Sequence, residues 1–141
     1  MIQVLEPPVV IEKVAWIRLD EGRLLATRSH GRELFYLPGG KPEPGETHPE
    51  ALAREIEEEL GVTLDRATIT PLLTVEAPAH GKPAGTLVRT SCYAADHTGT
   101  PTPCGEIAEL AHLTHGDHPR ASATTRIVLD HLAATGRLLR W

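Results

Sequence analysis

Seven glutamates crowd into the stretch from residue 43 to residue 59. On an α-helix, three of them, Glu55, Glu58 and Glu59, would share one face. Like charges at this spacing repel, and Arg54 is the one basic residue among them. Crowded carboxylates offer the oxygen ligands that hard divalent cations such as Mg²⁺ prefer. Taken alone, the run is also compatible with an acidic helix face exposed to solvent.

The spacing of the residues around this run favours the metal site. From Gly40 to Val62 the chain matches the pattern G-x5-E-x7-R-E-U-x-E-E-x-G-U at all nine defined positions, where U is a bulky aliphatic residue. With ordinary residue frequencies, a chance match in a chain of this length is on the order of one in a million. The stretch resembles the box motif of the Nudix family, and Leu37–Gly39 resembles the usual approach to it.

The resemblance implies a metal site on the helix of the motif. Nudix enzymes use Mg²⁺ or Mn²⁺, and by this pattern Glu58 and Glu59 are metal ligands. Glu55 is a ligand or the base that activates water, so that Glu55 and Glu58 both count among the catalytic residues. The carbonyl of Gly39 resembles a backbone ligand at the start of the loop.

The resemblance also assigns supporting roles. Arg54 is expected to brace the glutamates, and Glu46 to orient Arg54 from outside the metal's ligand shell. Some family members place the base on a loop after the central strands. Glu106 is the first candidate for such a base here, and Glu109 is the second. Glu55 and Glu106 therefore stay open as alternatives for the base.

Elementary chemistry agrees with these assignments. A diphosphate resists attack because its negative oxygens repel a nucleophile, and divalent cations neutralise that charge and lower the pKa of bound water. Carboxylates suit such hard cations better than cysteine or histidine does. A carboxylate whose pKa is raised by its neighbours can accept the proton of the water.

The implied activity is hydrolysis of a nucleoside diphosphate linked to another group. The short chain resembles MutT-type members, which favours a (deoxy)nucleoside triphosphate cleaved to the monophosphate and pyrophosphate. An ADP-ribose or nucleotide-sugar pyrophosphatase is the alternative. Pro78 follows the motif at a distance similar to that of a proline associated with ADP-ribose hydrolases of the family. A non-catalytic nucleotide sensor is a further alternative, disfavoured because the four glutamates of the motif are all present.

Substrate contacts are predicted from residues near the Gly-rich loop. Arg28 and Lys41, with Arg32 beside them, could bind phosphate. Tyr36 could stack on a base, although an aromatic residue is more often part of a core. Small nucleotides are thus the expected partners.

Hydrophobic periodicity predicts the elements that position these residues. Thr47 to Glu50 forms a capping-box pattern, an apolar residue recurs every four positions from Leu52, and Gly61 suits a C-cap, which predicts a helix over 47–60. A second helix is expected over 122–139. Strands are expected over 9–19, 23–28, 68–76, 86–95 and 107–113, the first two as a hairpin, with loops over 39–45 and 77–85. We therefore predict an α+β Nudix fold, a mixed sheet sandwiched between helices (α/β/α).

Length and composition set the remaining expectations. The 141 residues predict one Nudix domain over 1–141. A net charge of −5 disfavours binding to a nucleic acid polymer or an anionic membrane. Residues 1–8 lack the basic and apolar regions of a signal peptide, which favours a cytoplasmic protein. A homodimer is possible, since dimers are common in the family.

The cysteines and histidines do not predict a site. Cys92 and Cys104 are not expected to form a disulfide in an intracellular protein. His112, His115 and His118 recur every three residues, but they flank a loop with no cysteine, so a zinc site is disfavoured.

Overall fold

A computed structural model describes residues 9–141, so the expectation about residues 1–8 lies outside it. Its strands are β1 Val10–Trp16, β2 Leu19–Asp20, β3 Arg23–Ser29, β4 Gly39–Gly40, β5 Thr63–Leu64, β6 Thr70–Pro78, β7 Leu87–Ala94, β8 His97–Thr98 and β9 Ile107–Leu113. The helices are α1 His48–Leu60 and α2 Ala123–Ala134, with 3₁₀ turns at Arg66–Thr68 and His115–Arg120.

The largest sheet is mixed, as predicted. Its order is β4-β1-β7-β6, with β1 and β7 parallel and the other neighbours antiparallel. A second sheet, β2-β3-β9, is antiparallel, and β5 pairs with β8. Parallel pairing of β1 with β7 requires the long crossover that carries α1.

The first hairpin is shorter than predicted. Residues 9–19 do not form one strand paired with 23–28; only Leu19–Asp20 pairs with β3, while β1 pairs with β4 and β7. The chain changes sheets at Ile17 and Arg18, where the Ile17 amide donates to Tyr93 and the Arg18 carbonyl accepts from Leu25. The apolar run continues through this break because both sides of it line the core.

The sheets lie between the two helices because alternate residues of a strand face opposite sides. Val14 and Trp16 of β1 pack with α1, together with Leu52 and Ile56 of that helix. Ala15 and Ile17 face the other way and pack with α2. The α/β/α sandwich predicted from the motif is therefore confirmed.

Helix α1 has the predicted ends. The Thr47 hydroxyl accepts from the Glu50 amide and the Glu50 carboxylate accepts from the Thr47 amide, which completes the capping box. Gly61 ends the helix with φ of 65°, a left-handed conformation that glycine adopts without strain.

Helix α2 ends earlier than the predicted residue 139. Ser122 caps its start, and Gly136 reverses the chain with φ of 73° while the Arg137 amide donates to the Leu132 carbonyl. Leu138 is buried beyond the helix. The apolar pattern predicts a helix that is too long, because Leu138 packs in the same core as α2 but is not helical. No helix within residues 9–141 is long and apolar enough to cross a membrane.

Candidate active site

Two glycines let strand β4 lie directly against α1 and β1, so residues 39–40 of the predicted loop are a short strand, while residues 41–45 are irregular as predicted. A Cβ on Gly40 would lie 2.6 Å from the carboxyl carbon of Glu55. Gly39 has φ of 143°, and a Cβ there would lie 2.0 Å from the Val14 carbonyl oxygen. Any larger residue would push β4 away, so the glycines bring the backbone up to the helix carboxylates.

Glu59 is the buried carboxylate of this site. It is 6% exposed, and the Gly39 amide donates a hydrogen bond to its Oε1 at 3.3 Å. Burial raises the pKa of Glu59 to about 8, and the neighbouring charges of Glu55 and Glu106 act in the same direction. Burial also raises the pKa of Glu55, against the attraction of Arg54. These two carboxylates are therefore not on a solvent-exposed acidic face, and they would gain most from a bound cation.

Arg54 ties the loop before α1 to the helix. Its Nε and Nη2 donate to the two carboxylate oxygens of Glu46 at 2.7 and 2.9 Å, and this pair lowers the pKa of Glu46 to about 2. Arg54 also donates to Glu55 at 3.0 Å and to the Lys41 carbonyl at 3.1 Å. Arg54 thus contacts both Glu46 and Glu55, and its role as a brace for the glutamates stays a prediction.

Glu58 lies at the open side of the site. Its side chain is 59% exposed and lies 3.4 Å from Arg54. Within the part of the chain that the structure describes, no three acidic, histidine or cysteine side chains converge as a ready metal cage. The donor set nevertheless fits Mg²⁺ or Mn²⁺: it is all oxygen, Glu55 and Glu59 influence each other's charge, and Glu58 is exposed on the same helix.

The segment 99–106 brings Glu106 to the same site. The Thr102 and Cys104 amides donate to the Leu60 and Glu59 carbonyls at 3.0 and 2.9 Å, which satisfies the end of α1. Glu106 is exposed and close enough for its charge to raise the pKa of Glu59. No local sequence pattern predicts the contacts between this segment and α1.

The predicted substrate residues have different surroundings. Arg28 donates to Glu109 at 2.8 Å and to the Arg32 carbonyl at 3.0 Å, so Glu109, the second candidate for the base, is paired with Arg28. Lys41 is exposed beside β4. The Tyr36 backbone pairs with Thr27, and its role in substrate binding stays a prediction.

Phe35 belongs to the core, and Tyr93 packs against it. Phe35 is 3% exposed, and the Arg120 guanidinium lies 4.9 Å from its ring centre. The Tyr93 hydroxyl lies 2.7 Å from Nδ1 of His48 at the first turn of α1.

His115 and His118 both contact Asp130, at 2.9 and 3.3 Å.

Sequence reasoning missed Lys13, which lies half-buried on β1 and is influenced by the charges of Glu55 and Glu59. The available signal was a lysine inside a strand whose other residues, apart from Glu12, are apolar. Its strand position could have been predicted, but its proximity to α1 depends on the pairing of β1 with β4.

Solved structures share this architecture. A MutT NUDIX hydrolase from Burkholderia pseudomallei superposes with a TM-score of 0.71 and 28% identity, over 86% of this chain and 96% of that chain. The E. coli ORF135 protein gives a TM-score of 0.71 at 23% identity, over 92% of each chain, and so shows likeness of fold. Both the sandwich and the carboxylate-bearing helix thus define a Nudix-type domain.

The chain belongs to the Nudix family, since the model of the NUDIX domain matches residues 12–132. It is also 35% identical over 94 residues to the 8-oxo-dGDP phosphatase NUDT18 of Mus musculus. That match covers 67% of this chain but 26% of the relative, so this chain spans about a quarter of the relative's length. The relatives named here as enzymes are hydrolases or phosphatases.

Proposed function

We propose that the protein is a divalent-metal-dependent hydrolase that cleaves a phosphoanhydride bond of a nucleoside diphosphate derivative. The favoured substrate is a (deoxy)nucleoside triphosphate, giving the monophosphate and pyrophosphate. The observation that carries the proposal is the buried Glu59 carboxylate, set beside Glu55 and against the Gly39 backbone. Membership in the Nudix family and the complete motif support it.

The residues of the site have separate roles in the proposed reaction. Glu55, Glu58, Glu59 and the Gly39 carbonyl would hold Mg²⁺ or Mn²⁺, which when bound neutralises phosphate charge and lowers the pKa of the attacking water. Arg54 keeps the helix carboxylates oriented. The water oxygen bonds to phosphorus as the bridging P–O bond breaks, and a carboxylate accepts the water proton.

Either Glu55 or Glu106 serves as that proton acceptor. Glu55 accepts a hydrogen bond from Arg54 and its pKa is raised, whereas Glu106 is exposed to solvent. If Glu106 is the base, Glu106→Gln should lower kcat by about 100-fold or more with little change in KM. A decrease of less than about threefold, with Glu55→Gln inactive, would assign the role to Glu55.

A second candidate substrate is an oxidised nucleoside diphosphate. The NUDT18 relative is named for 8-oxo-dGDP, and that similarity reaches 35% identity. Hydrolysis would then yield the monophosphate and inorganic phosphate instead of pyrophosphate. ADP-ribose, nucleotide sugars and non-catalytic sensing are the remaining alternatives.

A product-resolved screen tests these proposals. Canonical and oxidised triphosphates, 8-oxo-dGDP, ADP-ribose and nucleotide sugars are incubated with the protein in Mg²⁺ or in EDTA. Phosphate is measured with and without inorganic pyrophosphatase, which separates release of pyrophosphate from release of phosphate, and chromatography detects cleavage into two monophosphates. We expect a Mg²⁺-dependent signal that requires pyrophosphatase.

Matched variants connect that activity to the site. Glu59→Gln should reduce the rate by at least about 100-fold because a buried metal-binding carboxylate is lost. Glu57→Gln removes an equal charge from the exposed side of the same helix and should keep the wild-type rate. Equal rates for the Glu59 variant and the wild type would refute the site. Mg²⁺-dependent binding of a nucleotide without cleavage would instead favour a sensor.

A homodimer and a cytoplasmic location stay predictions of the family resemblance and the composition. Light scattering of the purified protein would measure the assembly state. A mass near twice 15.3 kDa is expected for a dimer.

A further inference from the structure

Lys13 lies inside the mixed sheet, one residue from the contact between β1 and β4. Val14 pairs with Gly40 and Ala15 with Gly39. Continuing this antiparallel register by one residue places Lys13 across from Lys41, just beyond the end of β4. On its other side Lys13 pairs with Thr90 of β7, and that pairing fixes its backbone position.

The face of the sheet on which Lys13 lies explains its burial. Val14 and Trp16 face α1, so Ile11, Lys13 and Ala15 lie on the opposite face. Next to Lys13 on that face are Thr90 and, beyond it, Val75, which are both buried. Lys13 therefore lies on an apolar sheet face next to the edge strand β4, whose Gly40 lies against the Glu55 carboxylate of α1.

The charges around Lys13 leave it poorly compensated. Its pKa is lowered by burial first and then by Lys41, with Arg32 acting in the same direction, while Glu59 and Glu55 oppose the change. Among residues 9–141, no carboxylate lies within 4.0 Å of its amine. A half-buried cation opposite a second lysine is costly, both for desolvation and for repulsion across the strands.

An anion placed between the two lysines would remove both costs. The carboxylates of α1 already face a cation site on one side, and Arg54 is committed to Glu46 and Glu55. Neither Lys13 nor Lys41 has a carboxylate partner within 4.0 Å in the described part of the chain, although Lys13 is close enough to Glu55 and Glu59 to be influenced by their charges. A phosphate group fits the need because its several oxygens can accept from two ammonium groups at once.

We propose that Lys13 is a substrate-binding residue, which together with Lys41 holds a phosphate of the nucleotide beside the carboxylate site. This inference rests on the proposed function, because it assigns a phosphate contact for that reaction. Lys13 lies on strand β1 of the mixed sheet, outside the motif that carries the glutamates. It would position the phosphates relative to the attacking water without taking part in proton transfer. Its loss should therefore change KM more than kcat.

Binding of inorganic pyrophosphate in the presence of Mg²⁺, measured by isothermal titration calorimetry, tests the inference without turnover. Lys13→Met removes the charge and keeps a long side chain. Lys82→Met is the matched control, since Lys82 is exposed on the loop between β6 and β7. We expect Lys13→Met to weaken pyrophosphate binding by about tenfold or more, Lys13→Arg to restore part of it, and Lys82→Met to leave it unchanged.

A structural role for Lys13 would give a different result. Loss of a poorly compensated cation should leave Tm unchanged or raise it, so a lower Tm with unchanged pyrophosphate affinity would overturn the inference. Equal affinity of the wild type and the Lys13→Met variant would overturn it as well. So would a wild-type protein that does not bind Mg²⁺-pyrophosphate.

The calorimetry also separates this inference from the proposed hydrolysis. If no nucleotide is cleaved but pyrophosphate binding depends on Lys13, the proposed reaction fails while the phosphate site stands. If nucleotides are cleaved and Lys13→Met leaves both KM and pyrophosphate affinity unchanged, the reaction stands and the phosphate site fails.

Discussion

At the scale of single residues, the site is organised by what surrounds each carboxylate. Glu46 and Glu59 carry the same side chain, yet Arg54 lowers the pKa of the first to about 2, while burial raises the pKa of the second to about 8. A fixed ion pair therefore stabilises the loop, whereas the buried carboxylate is left for a cation. The difference arises from position alone.

The raised pKa of Glu59 predicts how stability depends on pH without metal. The folded protein keeps a proton on Glu59 between about pH 4.5 and 8, where the unfolded chain has released it. Stability should therefore fall as pH rises through this window. Thermal unfolding in EDTA at about pH 6 and 8 should show a lower Tm at the higher pH.

Comparison with Glu59→Gln isolates this contribution from the titration of histidines. The variant cannot ionise at this position, so its Tm should fall less over the same range. Mg²⁺ should raise the wild-type Tm more at pH 8 than at pH 6, because the proton competes with the metal. An equal pH dependence of Tm in both proteins would contradict the assignment.

At the scale of elements, α1 is positioned at both ends by independent contacts. The capping box at Thr47 fixes its start, and the amides of Thr102 and Cys104 satisfy the carbonyls at its end. The Gly39–Gly40 strand then lies along its side. Because the three contacts involve different parts of the chain, they fix the position of the helix that carries the glutamates.

Loss of the N-cap should measure the contribution of the first contact. Thr47→Ala removes the hydroxyl that accepts from Glu50 and should lower the free energy of unfolding by about 1 kcal/mol. Thr100→Ala, on an exposed loop, should change it by less than about 0.5 kcal/mol. Urea denaturation measures both values, and equal losses would show that the cap contributes nothing specific.

At the scale of the whole molecule, the two cores share one set of strands. Neighbouring residues of β1 pack on opposite helices, as Val14 does on the side of α1 and Ala15 on the side of α2. Disruption of either core must disturb the same strands. We therefore predict that the chain unfolds as one cooperative unit, which is the single domain expected from its length.

Two cavity-forming substitutions test this cooperativity. Leu52 of α1 and Leu129 of α2 are both 0% exposed, and replacing either with alanine should cost about 2–5 kcal/mol. Fluorescence of buried Trp16 and far-ultraviolet circular dichroism should give coincident transitions in both variants. Leu72→Ala, at a position 36% exposed, should have a much smaller effect. Separate transitions for the two variants would indicate two folding units.

Local patterns predicted the elements whose signals are themselves local. The capping residues, the apolar repeat and Gly61 predicted α1 to within one residue at its start, and β9 matches its predicted bounds. The patterns failed where apolar residues continue across a break, as at Ile17 and Leu138. Burial selects for apolar residues in both regular and irregular backbone, so hydrophobicity alone does not mark the boundary.

The sequence by itself determined the family, the helix that carries the glutamates and the type of ligand they offer, because these depend on residue types at fixed spacing. Only the tertiary structure decided that Glu59 is buried, that Glu109 pairs with Arg28, and that Lys13 lies close enough to Lys41 and the helix glutamates to be influenced by their charges. Each of these depends on which strands pair and in what register. Pairing is set by contacts between distant parts of the chain, which a one-dimensional pattern does not contain.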